Sequence, residues 1–273
     1  MKHSTHCRAI AAVAVAVVCW TASVASADEH HRDWNRLLGR TVTDGRVDYA
    51  ALAANPAPLD AYLARLAAHE RQWLLSRPAD EQKAFWINAY NAFTVRLVLD
   101  HYPIDGIWDV TPLWRRALGE TPFKVELAPL GHLHPEMPFG PVMTLDDIEH
   151  GVLRRQWSQD PRIHFALVCA STSCPKLQSH AYEGERLDEQ LDDAARAFLA
   201  DPTKNRLDAT RGTLVLSRIF KWFAEDFERS APLLETLAPW LPAPVAAAVA
   251  AGAVDVTYAS YDWSLNDVAK PLE

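Results

Sequence analysis

Hydrophobic and polar positions divide the chain into helix-period stretches and short apolar runs. The longest helical stretch starts at Pro78, carries Asp80 and Glu81 in its first turn, and ends near Tyr102, ahead of Pro103. Its middle, Phe85-Trp86-Ile87-Asn88-Ala89-Tyr90-Asn91-Ala92-Phe93, is apolar on nearly every side, which predicts a buried helix. A regular amphipathic helix is predicted from Leu187 to Ala200, with Leu187, Leu191, Ala194, Ala195, Phe198 and Leu199 inward. Thr144 and Asp147 form a capping box ahead of a helix that carries Glu149, His150 and Arg154 to about Arg155. Shorter helices are predicted over Leu59–Ala68, Ile219–Phe227, Leu233–Leu237 and Val245–Ala251.

Extended segments are fewer. Ile163 to Val168 reads as a short buried strand, and Asn205 to Ser217 as a hairpin turning at Arg211-Gly212. Val254 to Tyr258 alternates as a strand, and Val47-Asp48-Tyr49 makes a brief one. Residues 28–46 are polar and read as a frayed arm, with His30 and His31 exposed. From Tyr102 to Pro141, proline, glycine and aromatics predict an ordered loop, in which His132 and His134 sit as alternate residues. The expected fold is α+β: one helix-rich domain, residues 28–273, around a small mixed or antiparallel sheet with the 163–168 strand at its centre.

The first residues change the count of usable groups. Lys2 and Arg8, an apolar run from Ala9 to Trp20, and Ala25-Ser26-Ala27 predict a signal peptide over residues 1–27, cleaved to give a periplasmic or secreted protein. Cys19 follows Val18, which is not the small residue a lipoprotein site needs. Cleavage would remove two cations and no acid, taking the formal charge from −8 to two units lower, −10. That balance argues against nucleic acid and anionic membrane surfaces as partners, and no stable membrane insertion is expected after cleavage. It would also remove Cys7 and Cys19, leaving Cys169 and Cys174 with only each other in an oxidising compartment. With 49% hydrophobic residues and ten tryptophans, one large core is within reach. No nucleotide fingerprint or phosphate-binding glycine loop is present, so no cofactor is expected. The partner left is a small molecule or peptide of unknown identity.

Candidate chemistry gathers in Arg-Ile-His-Phe-Ala-Leu-Val-Cys-Ala-Ser-Thr-Ser-Cys-Pro, residues 162–175. Three readings stand. In the first, a cysteine hydrolase or acyltransferase uses Cys169 as nucleophile and His164 as base. Glu149, Asn88 or Asn91 would orient the base, and amides of the 170–173 loop would form an oxyanion hole. Residues five apart on a straight strand face opposite sides, so His150 is the alternative base. In the second, a Cys169–Cys174 disulfide closes the loop of a non-catalytic binding or scaffold module. The third is thiol–disulfide exchange, with a wider spacing than the familiar redox motif. Asn88 and Asn91, buried at i and i+3, are read first as fasteners of neighbouring loops. A metal site from His132, His134, His150, His164 and the cysteines has no ligand spacing beyond the first two, and none is expected.

Several segments carry a family resemblance. They are residues 85–93, Leu-Asp-Asp-Ile-Glu-His-Gly-Val-Leu-Arg at 145–154, residues 160–175, Leu-Ser-Arg-Ile-Phe-Lys-Trp-Phe at 216–223 and Tyr-Asp-Trp-Ser-Leu-Asn at 261–266. Together they resemble the domain of unknown function 547 family, whose biochemistry is unassigned. The resemblance implies Cys169 rather than Cys174 as the functional thiol, and implies that a disulfide is not obligatory. His164 preceding Cys169 would fit a papain-like or transglutaminase-like arrangement with its catalytic order permuted, an analogy at fold level only.

Overall fold

The Ala79–Leu99 helix is the element on which the main core is built, and every residue from 83 to 95 along it is buried. The structure, a computed structural model, describes residues 28–134, 140–252 and 254–270. The expected leader over residues 1–27 lies outside the described residues. Even Lys83 is buried on this helix, where its ammonium pairs with Asp160. That pair ties the helix to the turn that opens the candidate site.

Residues 28–46 are not a frayed arm. Asp28–Thr41 is a helix, because His31, Trp34 and Leu38 fall on one stripe and bury together. Trp34 stacks on Tyr62 with ring centres 5.6 Å apart, and His31 Nδ1 lies 2.8 Å from the Tyr62 hydroxyl. Burial pushes the His31 imidazole down to about 3, so it packs as a neutral ring. A hairpin follows, β1 (Val42–Thr43) and β2 (Arg46–Val47), turning at Asp44 and Gly45 with φ of 50° and 80°. Only glycine suits the second position, since a Cβ there would meet the Lys176 Cβ at 2.5 Å.

A second core forms where the Leu187–Ala200 helix packs with β3 (Arg206–Asp208), β4 (Thr213–Leu216) and β5 (Asp255–Tyr258). β3 and β4 run antiparallel, and β4 and β5 parallel in the register Leu214 to Val256. The α+β class with a small mixed sheet therefore holds. The strand expected at its centre does not. Ile163–Ala166 is one turn of helix, and the three-stranded sheet comes entirely from the C-terminal third of the chain.

The reason is local. The Asp160 carboxylate accepts from the Arg162 amide at 3.1 Å, and the His164 and Phe165 amides bond back to Pro161 and Arg162, winding the chain into a turn. Ile163 and Ala166 then enter the main core while Phe165 enters the second. A run buried on all sides suits a strand or a helix equally, and here the Asp-Pro turn decides. His132 and His134 likewise do not share a strand face: Gly131–Leu133 is a 3-10 turn. Among the described residues, no helix is long and apolar enough to cross a membrane.

Candidate functional site

Leu167 leaves the short helix in an extended conformation, and among the described residues no strand pairs with the segment from there to Cys169. Asn91 takes the place of that strand. Its amide donates to the Ala166 carbonyl at 2.9 Å and accepts from the Val168 amide at 3.0 Å. Asn88, one turn earlier, treats the two sides of Tyr182 in the same way, at 2.8 and 3.0 Å. Both amides are thus engaged with backbone. Asn91→Ala would strip partners from two buried backbone groups and is expected to lower stability by about 3 kcal/mol. A shift in urea midpoint checks this; a change under about 1 kcal/mol would mean water replaces the amide.

After Cys169 the chain reverses at Ala170, a buried non-glycine residue with φ of 61°, a conformation that stores on the order of 1 kcal/mol. The reversal brings Cys174 back to Cys169, and the two form a disulfide with Cα atoms 6.2 Å apart. The loop is held from outside by residues 261–266. The Thr172 amide donates to the Ser264 carbonyl at 2.8 Å, and the Ser173 amide to Asp262 at 3.2 Å. These two amides are therefore not free to form the expected oxyanion hole. The same pairing sets Tyr261 over the sulfurs, with its hydroxyl 3.4 Å from Cys169 Sγ and 3.3 Å from Cys174 Sγ. Ser171 Oγ lies 3.0 Å from Cys169 Sγ. Cys174 is buried, whereas Cys169 keeps partial exposure.

The disulfide forms part of the wall of a cavity of about 260 Å³. Cys169, Cys174, His164, His150 and Glu149 all line it, with Phe223, Trp222, Trp263 and Tyr261 supplying aromatic walls. Glu149 and His150 lie on Asp147–Leu153, which is wound as a π-helix rather than an α-helix. The widened turn lets both neighbours reach the cavity, where α-helical spacing would present one. The capping box is formed: Thr144 Oγ1 accepts from the Asp147 amide at 3.0 Å, and Asp147 accepts from the Thr144 amide at 2.8 Å. Tyr90 donates to Glu149 at 3.1 Å. Burial pushes the Glu149 carboxyl up to about 7, against the Tyr90 hydrogen bond and reinforced by nearby Asp146.

His164 meets a partner that sequence reasoning missed. Its Nε2 lies 2.7 Å from Asp226, and its ring stacks on Phe223 with centres 3.9 Å apart. Arg154 and Arg229 also donate to Asp226, at 2.5 and 3.1 Å. Burial works to raise the Asp226 carboxyl, but the hydrogen bonds from His164 and Arg154 outweigh it and hold the group far below the usual carboxylate range. Burial pushes His164 down despite Asp226. Because two guanidiniums already compensate the carboxylate, the imidazole stays neutral and donates Nε2–H. Among the described residues no hydrogen bond joins His164 to Cys169, so the expected nucleophile–base contact is not made in the disulfide form. The signal for Asp226 was an acid set between Phe223 and Phe227, where charge on an apolar run needs a buried partner. No group of three or more metal-ligating side chains occurs among the described residues.

Residues 75–199 match the family described as protein of unknown function, DUF547. The similarity to DUF547 rests on that segment. It contains Asn88, Asn91, Glu149, His164 and both cysteines. Asp226 and Tyr261 stand outside the matched DUF547 segment, as do the resembling stretches at 216–223 and 261–266. No curated protein and no solved structure matches the chain.

Proposed function

We propose that the DUF547 segment and the residues that close over it form a thiol–disulfide exchange site. The observation that carries this reading is a disulfide set in the wall of an aromatic cavity that also holds a carboxyl poised near neutrality. A buried structural bridge needs neither. Attack falls on Cys169, the more exposed sulfur, by the thiolate of a substrate dithiol. The Cys169–Cys174 bond breaks as the mixed disulfide forms, and its electron pair goes to Cys174. Tyr261 hydrogen-bonds the sulfur that carries the charge. Glu149, whose carboxyl burial pushes up to about 7, takes the substrate thiol's proton and supplies one to the leaving thiolate. The second substrate thiol then attacks the mixed disulfide, releasing an oxidised substrate and a reduced cysteine pair. The aromatic walls favour a substrate whose thiols sit beside apolar groups. Export, a single domain over residues 28–273 and the oxidising compartment they imply belong to this reading.

Trapping tests it. In Cys174→Ser, an aromatic thiol disulfide should leave a stable adduct on Cys169, seen as added intact mass, whereas Cys169→Ser should form none. The oxidised wild type should be reduced by dithiothreitol without denaturant. If reduction needs unfolding, the bridge is structural and the proposal fails.

A second reading, acyl transfer by reduced Cys169, is favoured by one observation, the His164–Asp226 pair beside the cysteines. It would appear as activated-ester hydrolysis present only after reduction. The engaged Thr172 and Ser173 amides place it second.

A further inference from the structure

The disulfide loop has a back as well as a front. Cys174 and Pro175 line the aromatic cavity and also a second, larger one of about 510 Å³ on the other side. Five charged side chains gather there. Arg46, Lys176 and Lys204 face it together with Asp44 and Asp201. Lys204 is only 8% exposed. Its ammonium donates to the Cys174 carbonyl at 2.7 Å and stands 3.4 Å from Asp201. Asp201 is itself taken up by the Thr203 amide and hydroxyl, at 3.0 and 2.6 Å. Lys176 pairs with Asp44 at the rim. Among the described residues, the Arg46 guanidinium bonds to the Asp267 and Lys270 carbonyls and makes no ion pair with a carboxylate.

Among the described residues, three cations therefore face two carboxylates, leaving one positive charge beside a cavity large enough for a small solute. A buried ammonium loses several kcal/mol of hydration and is retained where something compensates it. Lys204 has three donors, of which the Cys174 carbonyl and Asp201 occupy two. We propose that this back cavity binds a small oxyanion, a carboxylate or a phosphate, through Lys204, Lys176 and Arg46. The anion would take the remaining Lys204 donor and offset the surplus charge. This site is independent of thiol exchange, since it needs neither sulfur to react.

The test is calorimetric titration of the intact, oxidised protein with inorganic phosphate and, separately, with acetate, at constant ionic strength. Saturable one-to-one binding of at least one is expected, and whichever binds identifies the anion class. Lys204→Met and Lys176→Ala should each weaken it by about tenfold or more. Lys176 is partly exposed, so its variant keeps the test valid if Lys204→Met fails to fold. Absence of saturable binding to both anions, or unchanged binding in a folded Lys176→Ala protein, would overturn the proposal. Either outcome leaves the trapping experiment on Cys169 unaffected.

Discussion

Asp226→Ala is expected to destabilise the protein by about 3–5 kcal/mol, the largest effect of any single side-chain truncation near the cavity. Three donors converge on this carboxylate: His164 at 2.7 Å, Arg154 at 2.5 Å and Arg229 at 3.1 Å. Removing it leaves the buried His164 donor unpaired and leaves Arg154, less than a quarter exposed, without its anion. The loss is that of stranded partners rather than of one bond's strength. Asp226→Asn should be milder, since the amide oxygen still accepts from His164. Urea midpoints measure both. A double-mutant cycle with His164→Phe should give a coupling on the order of 1–3 kcal/mol. A coupling near zero, or a loss under about 1 kcal/mol for Asp226→Ala, would show that Asp226 does not organise this wall.

The hub also explains what could be read from the sequence. Length and end signals, Pro78 with Asp80 and Glu81 at one end and Pro103 beyond the other, located the Ala79–Leu99 helix, and periodicity located the Leu187–Ala200 helix, because each of these signals is local. The Thr144–Asp147 box was legible for the same reason. The Asp28–Thr41 helix was not: its apolar stripe is only His31, Trp34 and Leu38 among charged neighbours, and one of the three is a histidine whose burial depends on Tyr62, 31 residues away. The 163–166 turn was misread because a fully buried run has no period. Cys169, Cys174, His164 and Glu149 line one cavity, and all four come from the tight loop and the helices shortly before it, a stretch near in sequence. Asp226 and Tyr261 come from 62 and 92 residues downstream of the groups they touch. No spacing rule connects residues that only the tertiary fold brings together. Asn88 and Asn91 illustrate the opposite case: their burial was legible, and so was the fastening of neighbouring backbone that each performs.

Glu149→Gln is expected to make the protein more stable above neutral pH while removing the group assigned to proton transfer. The folded carboxyl is raised from 4.5 to about 7, so between those values the folded state holds a proton that the unfolded chain has released. Stability must therefore fall as pH rises through that window, by up to about 3 kcal/mol, and then level off. Below pH 4.5 the carboxyl is protonated in both states and contributes no slope. Glutamine keeps the shape and the Tyr90 contact but never ionises, so the variant lacks the decline. Its unfolding free energy should match the wild type near pH 4 and exceed it near pH 8. Parallel stability curves across that range would mean Glu149 ionises normally and cannot serve as the proton reservoir. If the curves diverge as expected, the same variant should lose the pH dependence of Cys169–Cys174 reduction near neutrality. A destabilising carboxyl held beside a disulfide is what a reactive site requires and a purely structural bridge does not.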